Sequence, residues 1–175
     1  MPFHDFARKT SLLTAIQMSL AVGFSYFLAI KIASLLGFSD PLVSGLWAGI
    51  SSIVVMQTQI EAVHLAGYLR FIGSLMGAVC AVVSTWLFGY TFLAIVMTMF
   101  FTTIMISLLQ LKSTLKLSNL TALIIIVVGM MDPLVSPWLN AIARVLESAL
   151  GAGIAVILVW VFYPIRKKFD LFQIY

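Results

Sequence analysis

Charged residues are scarce in this chain of 175 residues. Asp, Glu, Lys and Arg together make up 9% of it, whereas 62% of the residues are hydrophobic. A soluble domain usually carries about 25% charged residues. The composition therefore excludes a sizeable soluble domain and predicts a single integral membrane domain over residues 1–175.

Residues that bind metals or form disulfides are rare as well. The single cysteine, Cys80, lies inside an apolar run, so one chain can form neither a disulfide nor a thiolate metal site. The two histidines, His4 and His64, are too far apart in sequence for a metal site. No Ser-His-Asp set, glycine-rich phosphate loop or pair of intramembrane aspartates is present. We therefore expect no metal, no cofactor and no enzymatic activity.

Basic residues give the chain a formal net charge of +4, but they occur in short blocks between apolar runs. That pattern is not typical of a nucleic-acid surface, and it predicts the lipid bilayer as the partner. The first block, Arg8 and Lys9, precedes an apolar run that is too long for a signal peptide and contains no cleavage site, so we interpret the run as a first transmembrane helix.

Six apolar runs are separated by glycine, proline or charged residues, and a membrane-spanning helix needs roughly 20 apolar residues. The sequence therefore predicts an all-α membrane protein with six transmembrane helices. Their expected ranges are 11–36, 42–57, 69–88, 92–109, 117–131 and 139–163.

Basic residues in the predicted loops and termini all fall on one side of the membrane. They are Arg8, Lys9, Lys112, Lys116, Arg166, Lys167 and Lys168, and the second loop on that side holds Glu61 and His64. The loops on the other side contain Asp40 and Asp132 and no basic residue. By the positive-inside rule, both termini are predicted to be cytoplasmic, in the inner (plasma) membrane.

One stretch occurs twice. Residues 70–88 and 144–162 match at an offset of 74, in an Arg-Ser-Gly-Ala-Ala pattern spaced i, i+4, i+7, i+8 and i+11, which is one face of a helix. Three spans separate the copies, so helices three and six are expected to be antiparallel and the two halves to form a 3+3 inverted repeat, as in many secondary transporters. The alternative is chance similarity between two apolar helices.

Ionisable residues inside membrane helices often mark a transport pathway. Here they are Arg70, Arg144, Glu147 and Lys31. Arg144 and Glu147, at i and i+3, can pair. Two arginines that approach the membrane interior from opposite faces suit an organic anion, because Arg binds carboxylates bidentately. The alternatives are a positive-inside anchor for Arg70, a snorkelling side chain for Lys31 and a purely structural Arg144–Glu147 pair.

Small residues four apart allow helices to approach closely. They occur at Gly45/Gly49, Gly73/Gly77 and Ser148/Ala152. Such faces leave open a second function, that of a non-transporting membrane scaffold or accessory subunit. A cation or drug pump is a third and weaker hypothesis, because Glu61 and Glu147 are the only candidates for its acidic site.

A resemblance follows from these residues. The segment 47–55 followed by Arg70-xx-Gly73-Ser74-xx-Gly77-Ala78 resembles the pattern of the fusaric acid resistance and aromatic acid exporter superfamily. Arg144, Ser148 and Gly151-Ala152, in a helix that ends at Pro164, resemble the last membrane helix of that family. Ser74 stands where the family more often has Thr.

The resemblance implies a six-helix module that exports small organic acids, often aromatic ones. The chain is also similar to the membrane part of plant aluminium-activated malate transporters, which are dimeric anion channels, and that similarity implies a homodimer. Many relatives have a second six-helix set or a cytoplasmic helical domain, which leaves open whether this chain transports alone. The function hypothesis is an organic-anion exporter or channel in which Arg70, Arg144, Glu147 and Lys31 bind the substrate.

Overall fold

The structure is a computed structural model that describes residues 3–38, 40–132 and 135–168, with side chains from residue 12 onward. Six α-helices and one 3₁₀ turn lie within these residues, which contain no strand. The helices are α1 (Phe3–Leu36), α2 (Pro41–Val55), α3 (Ile60–Phe88), α4 (Phe92–Leu108), α5 (Leu115–Met131) and α6 (Pro137–Lys168). The 3₁₀ turn, Lys112–Thr114, leads directly into α5. The prediction of an all-helical chain with six helices is confirmed.

Helix length separates four of the helices from the other two. Helices α1, α3 and α6, and α5 together with its 3₁₀ turn, are long and apolar enough to cross a membrane. Helices α2 and α4, of 15 and 17 residues, are about 22 and 26 Å long at 1.5 Å per residue. A bilayer core is about 30 Å thick. The chain is a multi-pass membrane protein, and six complete crossings stay a prediction.

Two helix boundaries differ from the sequence prediction. Helix α3 begins at Ile60, so Glu61 and His64 lie in its first turns and not in a loop. Helix α6 continues through Pro164 to Lys168, although proline lacks the amide hydrogen that a helix needs at that position. Arg166 therefore belongs to the last turn of α6, where its buried side chain bonds to residues of α1.

The chain forms two compact units. Unit 1 comprises Met1–Gly67 and Ala149–Tyr175, and unit 2 comprises Tyr68–Ser148. In unit 1, α1 packs on α2. The second part of α6 joins them through a core of Val55, Val63, Ala152, Ala155 and Val159. Asp40 starts α2, since its Oδ1 accepts hydrogen bonds from the amides of Leu42 (3.1 Å) and Val43 (3.3 Å).

In unit 2, α4 packs on α5, and most of α3 and the first part of α6 complete the core. The core residues are small or β-branched, among them Ala78, Ala81, Ala122, Ile125 and Ala141. At Gly89, between α3 and α4, the backbone has a positive φ of 66°, which glycine adopts without strain. The Thr91 hydroxyl then caps α4 by accepting a hydrogen bond from the amide of Ala94 at 3.2 Å.

The two units are built in the same way. Each combines the first two helices of one sequence half with the larger part of the third helix of the other half, and a shorter part of its own third helix. A methyl group at Gly151 would collide with the carbonyl oxygen of Ala48 on α2. A methyl group at Gly77 would collide with the carbonyl oxygen of Ser118 on α5, beside Ala122. Gly77 and Gly151, like Ala48 and Ala122, are 74 positions apart, so the repeat seen in sequence recurs in the packing.

Helices α3 and α6 are antiparallel, as predicted. In unit 1, the indole nitrogen Nε1 of Trp160 donates to Nε2 of His64 at 2.9 Å, and Gly67 lies against Val156. In unit 2, Ser74 contacts Ser148. In unit 1, the later position on α3 thus meets the earlier position on α6.

Candidate functional site

Three hydroxyl groups meet where α3, α5 and α6 come together in unit 2. The Oγ atoms of Ser74 and Ser148 share a hydrogen bond 2.6 Å long. The hydroxyl of Thr121 donates to Ser74 Oγ at 3.3 Å. All three side chains are buried. Because Ser74 and Ser148 are equivalent positions of the repeat, the two copies cross at their matching residues.

An arginine lies one helical turn from each of these serines. Arg70 precedes Ser74 by four residues on α3, and Arg144 precedes Ser148 by four on α6. At 1.5 Å per residue, each arginine backbone lies about 6 Å along its helix from the crossing. Since the helices are antiparallel, the two displacements point in opposite directions. Both arginines belong to unit 2, and both are buried, with Arg70 3% exposed and Arg144 8% exposed.

The third charged residue is Glu147. Its Oε1 lies 2.9 Å from Nη2 of Arg144, and the side chain is 4% exposed. The ion pair expected from the i, i+3 spacing is therefore present. Arg70, Arg144 and Glu147 each have a further interaction within the chain, so none of them is an isolated charge. With all three ionised, the formal charge of the group is +1.

Lys31, the fourth sequence-predicted site residue, lies elsewhere. It belongs to α1 in unit 1, where its side chain is exposed and its Nζ lies 5.5 Å from the centroid of the Phe27 ring. That distance is within the range of a cation–π contact. The structure thus places Arg70, Arg144 and Glu147 in one unit and Lys31 in the other.

Sequence reasoning missed one polar residue of this centre. Asn140 is buried on α6, and its Nδ2 donates to the carbonyl oxygen of Ile125 on α5 at 2.8 Å. Asn140, Arg144 and Ser148 are spaced four apart, so they follow one face of α6. That spacing was visible in the sequence and would have extended the polar face by one turn.

A second group that sequence reasoning missed lies in unit 1. The sequence predicts that Arg166 belongs to a basic terminal segment. In the structure, its side chain is buried on α6 and bonds to Gln17 and Thr14 of α1. No local sequence signal predicts this contact, because it joins residues at opposite ends of the chain.

An apolar groove lies on the same helices as the charged centre in unit 2. Its volume is about 190 Å³, and its walls include Leu75, Ala78 and Val79 of α3 and Ala141, Ile142 and Val145 of α6. Leu75 follows Ser74 directly, and Val145 follows Arg144. A charged, hydroxyl-lined centre and an apolar space are therefore carried by neighbouring positions of α3 and α6.

The chemistry of the centre favours an anion over a cation. Guanidinium groups donate hydrogen bonds and accept none, and hydroxyls can donate as well. Among the residues that the structure describes, no three or more His, Cys, Asp or Glu side chains come together as metal ligands would. Together, the donor groups of unit 2 suit a carboxylate or another oxyanion.

The model of one protein family, described as fusaric acid resistance protein-like, matches residues 12–158. The chain belongs to this family. The match includes all of α2 to α5, most of α1 and the part of α6 that carries Arg144 and Glu147. It confirms the resemblance seen in the sequence motifs. No curated protein and no solved structure matches the chain.

Proposed function

We propose that the chain transports small organic acid anions, aromatic acids among them, across the inner membrane as a homodimer. The observation that carries the proposal is the buried centre of unit 2, where Arg70, Arg144 and Glu147 have a formal charge of +1. Buried charge in a membrane protein is costly and usually functional. Fusaric acid, which the family description names, is itself an aromatic carboxylic acid.

The proposed substrate site uses groups on both sides of the serine crossing. The carboxylate of the substrate binds a guanidinium bidentately. Two of the three hydroxyl hydrogens of Ser74, Ser148 and Thr121 are used within the group, so the third donates to the substrate. The apolar groove lined by α3 and α6 accepts the ring or alkyl part. Because the arginines are displaced in opposite directions from the crossing, an anion can pass from one cation to the other.

Glu147 has a distinct role in this proposal. It compensates the charge of Arg144 when no anion is bound, so the substrate carboxylate must compete with it. Protonation of Glu147 would remove that competitor, which provides a site for coupling export to protons.

The topology and assembly extend the same proposal. The distribution of basic residues supports cytoplasmic termini, and the resemblance to dimeric anion channels supports a homodimer. Lys31 would attract the anion from the outer side as a secondary contact. Accessibility labelling tests whether both termini are cytoplasmic. The mass of the purified protein tests whether it is a dimer.

The decisive experiment measures uptake of labelled benzoate and malate into proteoliposomes. The variants are Arg70→Gln and Arg144→Gln, with Lys167→Gln as the matched control because Lys167 is exposed. Loss of a charge-assisted hydrogen bond costs about 1.5–3 kcal/mol, so flux should fall by about tenfold or more in each Arg variant at low substrate. Lys31→Gln should reduce flux by about threefold or less, because an exposed charge contributes little.

Thermal unfolding must show that the variants are folded before their fluxes are compared. Unchanged flux in folded Arg70→Gln and Arg144→Gln would exclude the role given to both residues. A purified dimer with no benzoate or malate flux that co-isolates with another membrane protein would favour the scaffold function instead. The structure gives that alternative less support, since the small faces at Gly77 and Gly151 already contact helices of the same chain.

A further inference from the structure

A buried arginine in unit 1 lies outside the proposed transport centre. Arg166, in the last turn of α6, is 1% exposed. Its Nη2 donates to Gln17 Oε1 at 2.7 Å and to Thr14 Oγ1 at 3.1 Å. Both partners are neutral, so these bonds position the guanidinium without compensating its charge.

Three further donors at this place are buried without an acceptor. They are Nε and Nη1 of Arg166 and Nε2 of Gln17, none of which has a hydrogen-bond partner among the described residues. Buried polar groups in proteins are nearly always hydrogen-bonded, and a buried cation needs a compensating charge. The arrangement requires an acceptor that carries negative charge and several oxygen atoms.

We propose that Arg166 and Gln17 form an oxyanion site that binds a phosphate group. A phosphate offers several acceptor oxygens and a negative charge, which match three donors and one cation. Lys167 and Lys168, both exposed beside Arg166, add positive charge around the site. Basic groups at the end of a membrane helix attract the phosphates of anionic lipid headgroups, and free inorganic phosphate offers the same chemistry.

This site is independent of the organic-anion hypothesis. It lies in unit 1, whereas Arg70, Arg144 and Glu147 lie in unit 2, and it needs no transport activity. The intramolecular alternative is a carboxylate of Asp5 or Asp170, two residues whose side chains lie outside the described part of the chain.

The lipid arm of the test uses the purified full chain in detergent. Bound phosphatidylglycerol and phosphatidylcholine are quantified by native mass spectrometry for the unaltered protein, Arg166→Gln and Lys167→Gln. Phosphatidylglycerol should bind the unaltered protein in preference to phosphatidylcholine. Arg166→Gln should weaken that binding by about tenfold or more, and Lys167→Gln by much less, because only Arg166 is buried.

The second arm measures thermal unfolding in inorganic phosphate and in chloride at equal ionic strength. A phosphate-specific rise in the melting temperature of the unaltered protein, absent in Arg166→Gln, identifies free phosphate as a ligand. A response to phosphatidylglycerol alone identifies the lipid headgroup. Either result supports the site.

The variant Gln17→Glu keeps the test informative if Arg166→Gln does not fold. It places a carboxylate beside the guanidinium, so it should remove the dependence on phosphate or on phosphatidylglycerol while the protein stays folded. Undiminished dependence in Gln17→Glu would overturn the proposal. Equal loss of phosphatidylglycerol binding in Lys167→Gln and Arg166→Gln would overturn it as well. Insensitivity of the unaltered protein to both ligands would also overturn it and would point to a carboxylate of the chain itself.

Discussion

The two copies of the repeated helix differ in charge at the position before the matched serines. The first copy has Gly73 before Ser74, and the second has Glu147 before Ser148. A methyl group at Gly73 would lie 2.9 Å from Cβ of Leu117, so α5 leaves no space there for a larger side chain. At the equivalent position, α6 carries a buried carboxylate paired with Arg144. Both copies thus pack closely on a neighbouring helix through Gly77 and Gly151. Glu147 in place of glycine gives the second copy a negative charge.

The largest expected effect comes from removing that charge. Glu147→Met leaves Arg144 buried without this partner and should lower the free energy of unfolding by about 3–5 kcal/mol. The double variant Arg144→Met/Glu147→Met removes both charges and should be less destabilised than the single one. Denaturant or thermal unfolding in detergent measures both. A double variant that loses as much as or more than the single one would show that the ion pair does not account for the effect.

The shared packing of the two copies predicts a matched pair of effects. Gly77→Ala and Gly151→Ala each direct a methyl group at a backbone carbonyl, of Ser118 and Ala48 respectively, and backbone moves less easily than a side chain. Overpacking of this kind costs about 1–3 kcal/mol. We expect similar losses of thermal stability in both variants.

Gly153→Ala is the matched control for this pair, because no atom lies within 4 Å of a methyl group there. It should leave the melting temperature unchanged or raise it slightly, since alanine favours the helix more than glycine. A large loss at Gly77 with none at Gly151 would break the equivalence of the two units.

The parts of this structure that follow short-range spacing could be predicted from sequence. The antiparallel pair α3 and α6 followed from the repeat and the number of spans. The Arg144–Glu147 pair followed from i, i+3 spacing. Each depends on a periodicity that the helix imposes on neighbouring residues.

The parts that depend on distant contacts could not be predicted. Helix α6 continues past Pro164, a residue that usually ends a helix, and Arg166 beyond it bonds to Gln17 on α1. The early start of α3 places His64 beside Trp160, ninety-six positions away. Tertiary packing likewise decides that most of α6 joins unit 1 and most of α3 joins unit 2, which local propensity does not specify.

The serine crossing should show a smaller and asymmetric effect. Two side-chain hydrogen bonds involve Ser74: one is shared with Ser148, and Ser74 accepts the other from Thr121. For Ser148, the structure describes the bond to Ser74. A neutral hydrogen bond contributes about 1 kcal/mol, so Ser74→Ala should cost about twice as much as Ser148→Ala. In a double-mutant cycle, Ser74→Ala/Ser148→Ala should cost less than the sum of the single variants. Strict additivity of the two would indicate that the shared bond contributes nothing.

The smallest effect concerns Tyr90, which follows the end of α3 in unit 2 and has Pro164 as its repeat equivalent. Its hydroxyl donates to the carbonyl oxygen of Val135 at 3.2 Å. Burial raises the pKa of the Tyr90 phenol above its usual value of 10.0, and this outweighs a hydrogen bond from Asn140 that lowers the pKa. A raised pKa means that the folded state holds the proton more tightly than the unfolded state. The contribution to stability is therefore complete below about pH 10 and is lost as the pH rises through the folded pKa.

Tyr90→Phe removes the titrating group, so the melting temperatures of the unaltered protein and of this variant should converge as the pH is raised from 9 to 11. Tyr68→Phe is the matched control, because Tyr68 is 59% exposed and the same substitution there removes no buried hydroxyl. The difference between the profiles of the unaltered protein and Tyr90→Phe reports on Tyr90. Parallel profiles for the unaltered protein and Tyr90→Phe would show that the hydrogen bond donated to Val135 contributes no measurable stability. The turn after α3 would then be held by the Tyr90 ring, which packs against Gly129, and not by its hydroxyl.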